Sequence, residues 1–133
     1  KVHWLETTRA NNWFPTGEEL EKKIKSIGKN KNLILILNSP NNPSGVVCGN
    51  LEELAKVAKK YKIMVLSDEI YTDLTFSNKY NSISKFYPEL TFITGGLSKW
   101  CGAGGWSVLI RVIKDSTWGS TKSELGLRLK IPI

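Results

Sequence analysis

The first pattern in the chain is helical. Apolar residues recur at spacings of three and four positions, so that one face of a helix would carry Leu20, Ile24 and Ile27. Thr16 and Glu19 stand at the two positions of a capping box, in which the threonine bonds forward and the glutamate reaches back. The spacing therefore predicts a helix that begins at Thr16 and runs to about residue 26.

Strand and helix patterns then alternate. Leu33–Leu37 is apolar at every position, as in a parallel strand that is buried on both faces. Asn50 and Glu53 form a second capping signature, and the helix that follows would bury Leu51, Leu54, Ala55 and Ala58. Further strand patterns lie at 63–66, at 91–94 and at about 106–112. This order predicts an α/β fold with a partial, mostly parallel sheet and flanking helices.

Length and composition are those of one ordinary globular domain. The chain has 133 residues, of which 41% are hydrophobic and 23% charged. Its longest apolar run, residues 33–37, is too short to cross a membrane, and no signal-peptide segment is recognisable at the start. Cys48 and Cys101 fit neither a disulfide framework nor a metal-binding pattern, which favours reduced thiols in a cytoplasmic protein without a metal site.

The formal net charge of +7 raises the question of a nucleic-acid partner. Much of the excess comes from lysines around the end of the first predicted helix and the loop after it: Lys22, Lys23, Lys25, Lys29 and Lys31. A solvated helix face explains such a cluster, and no nucleic-acid motif of recognised spacing accompanies it. We therefore expect neither a nucleic-acid nor a membrane partner.

Polar segments follow three of the predicted strands directly. They are Asn38–Gly45, Asp68–Tyr71 and Gly95–Lys99. In open α/β sheets, ligands gather beyond the carboxyl ends of the strands, so these segments are expected to form one site. Lys99 lies among glycines and apolar bulk, and a lysine screened from water in such a place can act as a free amine.

The same segments resemble the cofactor site of the aminotransferases of classes I and II, which depend on pyridoxal 5'-phosphate (PLP). The resemblance is carried by Asn42-Pro43-Ser44-Gly45, by Asp68 and Tyr71 in a D-x-x-Y spacing, and by Ser98-Lys99. It covers about residues 7–106 and implies a central piece of the large, cofactor-binding domain of fold type I. Residues 1–133 would then be one partial domain whose end, 108–133, is atypical.

The resemblance also implies a role for each site residue. Lys99 would carry PLP covalently and shuttle a proton during transamination, and Asp68 would pair with the pyridine nitrogen. Asn42 and Tyr71 would bond to the ring hydroxyl, and Ser98 would contact the phosphate. The implied reaction transfers an amino group between an amino acid and a 2-oxo acid, in a parent protein that forms a homodimer.

Two positions depart from the family pattern. Ser107 stands where an arginine commonly clamps the cofactor phosphate, and Gly96 stands where many members have a serine. These departures favour one alternative, a non-catalytic remnant. A second alternative, a PLP-dependent lyase of the same fold, is open because the cofactor chemistry is shared and the part of the family that selects the substrate is not in this sequence. We expect this polypeptide to be inactive on its own. A half-built sheet would expose an apolar face and strand edges, which predicts poor solubility without a partner.

Overall fold

The computed structural model describes residues 1–28, 32–76, 80–102, 104 and 109–113. The helices are α1 (Gly17–Ile27), α2 (Leu51–Lys60) and the short α3 (Leu97–Trp100), and the strands are β1 (Ile34–Asn38), β2 (Met64–Asp68), β3 (Thr91–Gly96) and β4 (Leu109–Ile113). Single 3₁₀ turns occupy Thr72–Leu74 and Ile83–Lys85. Each predicted helix and strand is present, with its ends displaced by a few residues.

The sheet has the order β1-β2-β3-β4 in this part of the chain. The first three strands are parallel, and β4 runs antiparallel to β3. A β-α-β unit joins β1 to β2 through α2. The predicted α/β fold with a partial, mostly parallel sheet is confirmed.

The two longer helices begin differently. At α1 the Thr16 hydroxyl accepts from the Glu19 backbone N–H (3.2 Å) and the Thr16 N–H donates to the Glu19 carboxylate (2.7 Å), so the predicted capping box is confirmed. At α2 the second predicted capping box is wrong, because the Asn50 side chain makes no cap hydrogen bond. Its amide donates instead to the Pro15 carbonyl (2.8 Å) and to the Glu53 carboxylate (3.3 Å). A tertiary contact with the start of α1 has replaced the local one.

The core lies between the two helices and one face of the sheet. Most of its members come from α1, α2, β1, β2 and the second 3₁₀ turn, and the fully buried ones are Leu54, Ala58, Val65 and Ile83. The face predicted for α2 is confirmed, since Leu51, Leu54, Ala55 and Ala58 are all buried. On the face predicted for α1, Leu20 and Ile24 are buried and Ile27 is half-buried. Burial of this set is the main favourable contribution to folding.

On the opposite face of the sheet, the side chains of β1 are exposed in the described chain. Ile34 is 61% exposed and Ile36 69% exposed, whereas Leu35 and Leu37 between them are buried. The expectation that β1 is buried on both faces is therefore wrong for this chain. The physical reason is that the buried residues of α1 and α2 all belong to one cluster with Leu35 and Leu37, which leaves the alternate positions uncovered.

No helix in the described part of the chain is long and apolar enough to span a membrane. The same residues contain no group of three or more histidine, cysteine, aspartate or glutamate side chains that could hold a metal ion. Both cysteines have free thiols, with Cys48 buried and Cys101 exposed.

Candidate functional site

Three polar side chains lie side by side at the carboxyl end of the parallel strands. Asn38 is the register partner of Asp68, and Asp68 is the register partner of Thr94. The Asn38 amide donates to Asp68 Oδ2 (3.2 Å), and the Thr94 hydroxyl donates to Asp68 Oδ1 (3.0 Å). Both oxygens of the carboxylate are therefore held by side chains from the two neighbouring strands.

Asn38 also organises the loop that follows β1. Its side-chain oxygen accepts from the Asn42 backbone N–H (2.9 Å) and from the Asn41 amide (3.3 Å). Gly45 closes the turn with an N–H bond to the Asn41 carbonyl (2.7 Å), at a φ of +70° that favours glycine. The Ser39–Pro40 and Asn42–Pro43 peptide bonds are cis. These contacts fix Asn42 relative to the end of β1.

Three of the predicted site residues meet beyond this edge of the sheet. The Asn42 side-chain amide donates to the Tyr71 hydroxyl (3.1 Å), although the two residues are 29 positions apart. The Lys99 ammonium group lies 5.7 Å from the centre of the Tyr71 ring, within the range of a cation–π interaction. Tyr71 therefore links the loop after β1 to the helix after β3.

Lys99 is exposed. The prediction that this lysine is screened from water is therefore wrong for this chain. Lys99 lies on the four-residue helix α3, directly beyond the end of β3. Ser98 is half-buried beside it and takes no part in the contacts between Asn42, Tyr71 and Lys99.

A second polar cluster lies on the covered side of the same edge. The Glu69 carboxylate accepts from the hydroxyls of Ser67 (2.9 Å) and Ser82 (2.6 Å). The Tyr80 hydroxyl donates to the Ser39 carbonyl (3.2 Å), and burial, followed by the nearby Glu69 charge, raises the pKa of Tyr80. This cluster joins the segment after β2 to the loop after β1.

A cleft opens beside the Asn42–Tyr71 pair. Its volume is about 510 Å³, and its lining includes Pro40, Asn42, Pro43, Tyr71, Leu74 and Phe76. Asp68 and Lys99 are not part of this lining. The cleft is mainly apolar and adjoins the predicted site at the two residues that share a hydrogen bond.

The sequence assigns no individual role to three residues of this site: Asn38, Thr94 and Glu69. For Asn38 the only signal in the sequence is its position at the end of a predicted strand. The role of Thr94 depends on strand register, which the sequence pattern does not specify. Of the two departures from the family pattern, Gly96 is buried at the start of α3, and Ser107 lies outside the described residues.

Comparisons with known proteins agree with one another. The family model for aminotransferases of class I and II matches residues 1–116. The aspartate aminotransferase of Thermotoga maritima is 37% identical over 112 residues, which are 80% of this chain and 28% of that protein. The glutamate-pyruvate aminotransferase of Haemophilus influenzae is 34% identical over 116 residues, which are 81% of this chain and 28% of that protein.

Solved structures are similar over the same stretch. The aspartate aminotransferase of Thermus thermophilus, in a structure with maleate, matches with a TM-score of 0.71 and 30% identity, over 80% of this chain and 28% of that one. The aromatic aminotransferase of Pyrococcus horikoshii matches with a TM-score of 0.72 and 28% identity, over 84% and 30%. The chain thus spans less than a third of the length of each of these proteins.

Proposed function

The chain belongs to the class I and II aminotransferase family, and on this premise we propose that the whole protein is a PLP-dependent aminotransferase. It would transfer an amino group between an amino acid and a 2-oxo acid, and this chain would supply the cofactor end of the site. The observation that carries the proposal is the meeting of Asn42, Tyr71 and Lys99 from three separate segments. We also propose that the whole protein is a cytoplasmic homodimer.

The side chains at this site fit the groups carried by the ring of PLP. An amine, a phenol, an amide and a carboxylate are what an aromatic aldehyde with a ring hydroxyl and a ring nitrogen requires. Lys99 would hold the aldehyde carbon, and Asp68 would face the ring nitrogen. The amide of Asn42 and the hydroxyl of Tyr71 would bond to the ring oxygen. Ser98 would contact the phosphate, because Gly96 contributes no hydroxyl.

When bound, PLP supplies an aldehyde that condenses with amines and a ring that accepts electrons. Lys99 would contribute the amine that holds the aldehyde and would carry a proton at Nζ. An amine attacks only in its neutral form, and exclusion of water favours that form. Because Lys99 is exposed here, parts of the whole protein beyond this chain would complete the exclusion of water. This is the physical basis for expecting no transamination by the chain alone.

We propose the substrates by chemical class only, as an amino acid and a 2-oxo acid. The similar proteins are named for aspartate, for glutamate and pyruvate, and for aromatic amino acids. A lyase of the same fold would share every residue role proposed above. Product analysis with the whole protein separates the two, since transamination yields a new amino acid and a lyase releases a fragment of the substrate side chain.

The test is PLP titration of the chain, followed by borohydride reduction and peptide mapping of the labelled lysine. We expect the label on Lys99 and its loss in Lys99→Ala. Lys85 is the matched control, because it is also exposed and lies 5.9 Å from the centre of an aromatic ring, that of Phe86. Lys85→Ala should label like the wild type. Label spread evenly over surface lysines would overturn the proposal for this chain and favour a non-catalytic remnant.

A further inference from the structure

Side chains from the two neighbouring strands, Asn38 and Thr94, each hold one oxygen of the Asp68 carboxylate, and we call this arrangement the Asp68 clamp. Thr94 Oγ1 donates to Oδ1 at 3.0 Å and Asn38 Nδ2 donates to Oδ2 at 3.2 Å, and both contacts are partly buried. The Asn38 amide also lies 3.4 Å from the Asp68 carbonyl oxygen. A carboxylate with one donor on each oxygen, from opposite neighbouring strands, can rotate about neither its Cα–Cβ bond nor its Cβ–Cγ bond without breaking both contacts.

The register of the sheet imposes this arrangement. Asn38, Asp68 and Thr94 are direct Cα partners across three adjacent parallel strands. Directly paired residues point to the same face of a sheet, and the backbones of neighbouring strands are about 4.8 Å apart. At that spacing, short polar side chains on paired residues are close enough to form a hydrogen bond. The clamp thus follows from backbone pairing and depends little on loop conformation.

The clamp leaves the carboxylate free to accept further bonds. An ionised carboxylate offers about four lone-pair positions, and the two side-chain donors occupy one on each oxygen. The remaining positions suit a cationic N–H donor such as a protonated ring nitrogen. A carboxylate that is already oriented loses less conformational entropy when it receives such a donor.

We propose that Thr94 and Asn38 are positioning residues that hold Asp68 in one orientation for a protonated ring nitrogen. The inference rests on the proposed function for the identity of that ring. Thr94 is the better residue to substitute in a test, because the side-chain oxygen of Asn38 also holds the loop after β1. Thr94→Val removes only the hydroxyl donor while keeping the β-branched shape that suits a strand.

Two measurements on the full chain test this inference. The first is independent of any cofactor: three-bond Hα–Hβ couplings of Asp68 report whether its side chain occupies one rotamer. We expect one rotamer in the wild type, averaging in Thr94→Val, and a return to one rotamer in Thr94→Ser. The second is the dissociation constant for PLP, which should rise about tenfold in Thr94→Val and recover in Thr94→Ser.

Thr91→Val is the matched control. Thr91 lies on the same strand with its side chain on the buried side, and its hydroxyl donates to the Tyr87 carbonyl. Loss of that bond should lower stability without changing the Asp68 couplings or the PLP affinity. A single Asp68 rotamer in Thr94→Val would overturn the clamp. A wild-type chain that shows the coupling pattern but labels no lysine with PLP would leave the clamp standing and overturn the proposed function.

Discussion

The Asn42 side-chain amide donates a hydrogen bond to the Tyr71 hydroxyl, at 3.1 Å. The bond uses one of the two amide hydrogens of Asn42 and one lone pair of the Tyr71 oxygen. The second amide hydrogen and the phenolic hydrogen remain available to a single acceptor oxygen. Each residue therefore holds the other in place, which lowers the entropy lost on binding.

Tyr71→Phe should weaken PLP binding about tenfold, because it removes one donor to the ligand and releases Asn42. Asn42→Ala should have a similar effect, and the double variant should lose less than the sum of the two, since the residues act as a pair. PLP titrations of the four proteins measure this coupling. Tyr61→Phe is the control, since Tyr61 bonds to Glu21 away from the site. Additive losses at Asn42 and Tyr71 would show that the two residues act independently.

We expect a side chain at position 17 to destabilise the protein, because Gly17 contacts Glu53 where α1 meets α2. The Gly17 N–H donates to Glu53 Oε1 (2.8 Å), and a Cβ at position 17 would lie only 2.6 Å from Glu53 Cγ. Gly17→Ala should therefore displace Glu53 and lower the free energy of unfolding by about 1–3 kcal/mol. Gly49→Ala is the control, because nothing lies within 4 Å of a Cβ there. Urea unfolding of both variants checks this, and equal midpoints would contradict it.

We expect the folded chain to lose stability in acid, in part because Glu21 becomes protonated. Hydrogen bonds from Tyr61, Lys60 and Lys25 lower the pKa of Glu21 from 4.5 to about 2. Because the folded-state pKa is the lower one, the stabilisation is complete above about pH 4.5 and is lost as the pH falls toward 2. Glu21→Gln should therefore show a smaller drop in melting temperature between pH 7 and pH 3. Glu18→Gln, an exposed position on the same helix, should keep the wild-type drop.

The two thiols should differ in reactivity. Burial raises the pKa of Cys48 to about 11, so little of its thiolate exists at pH 8, and the side chain is also shielded from reagents. Cys101 is exposed. Iodoacetamide at pH 8 should modify Cys101 more than about ten times faster than Cys48, as followed by mass spectrometry. In Cys101→Ser the fast phase should disappear, and in Cys48→Ser it should persist. Equal rates would mean that the core around Cys48 opens readily.

Neighbouring residues of β1 should respond in opposite ways to substitution. Ile36 is 69% exposed, so Ile36→Thr should change stability by less than about 0.5 kcal/mol while reducing self-association. Leu37 is 4% exposed, and Leu37→Ala should cost about 2–5 kcal/mol. Chemical unfolding and sedimentation velocity measure the two effects. A monodisperse wild-type chain at high concentration would contradict the predicted poor solubility.

Local sequence patterns were sufficient to predict the helices, the strands and the edge that carries the site. Helical spacing and the Thr16–Glu19 box located α1, apolar runs located the strands, and polar segments after those runs indicated the edge at which a site forms. Each of these features depends on residues close together in the chain. The resemblance to class I and II aminotransferases likewise rested on short motifs, and the family is confirmed.

The tertiary structure alone decided what depends on residues far apart in the chain. Asn50 bonds to Pro15 rather than capping α2, and Ile34 and Ile36 are exposed because both long helices pack on the other face of the sheet. The contacts of Asp68 with Asn38 and Thr94 depend on strand register. A shift of one residue would turn these side chains to the opposite face, and apolar runs without alternation leave that choice to packing.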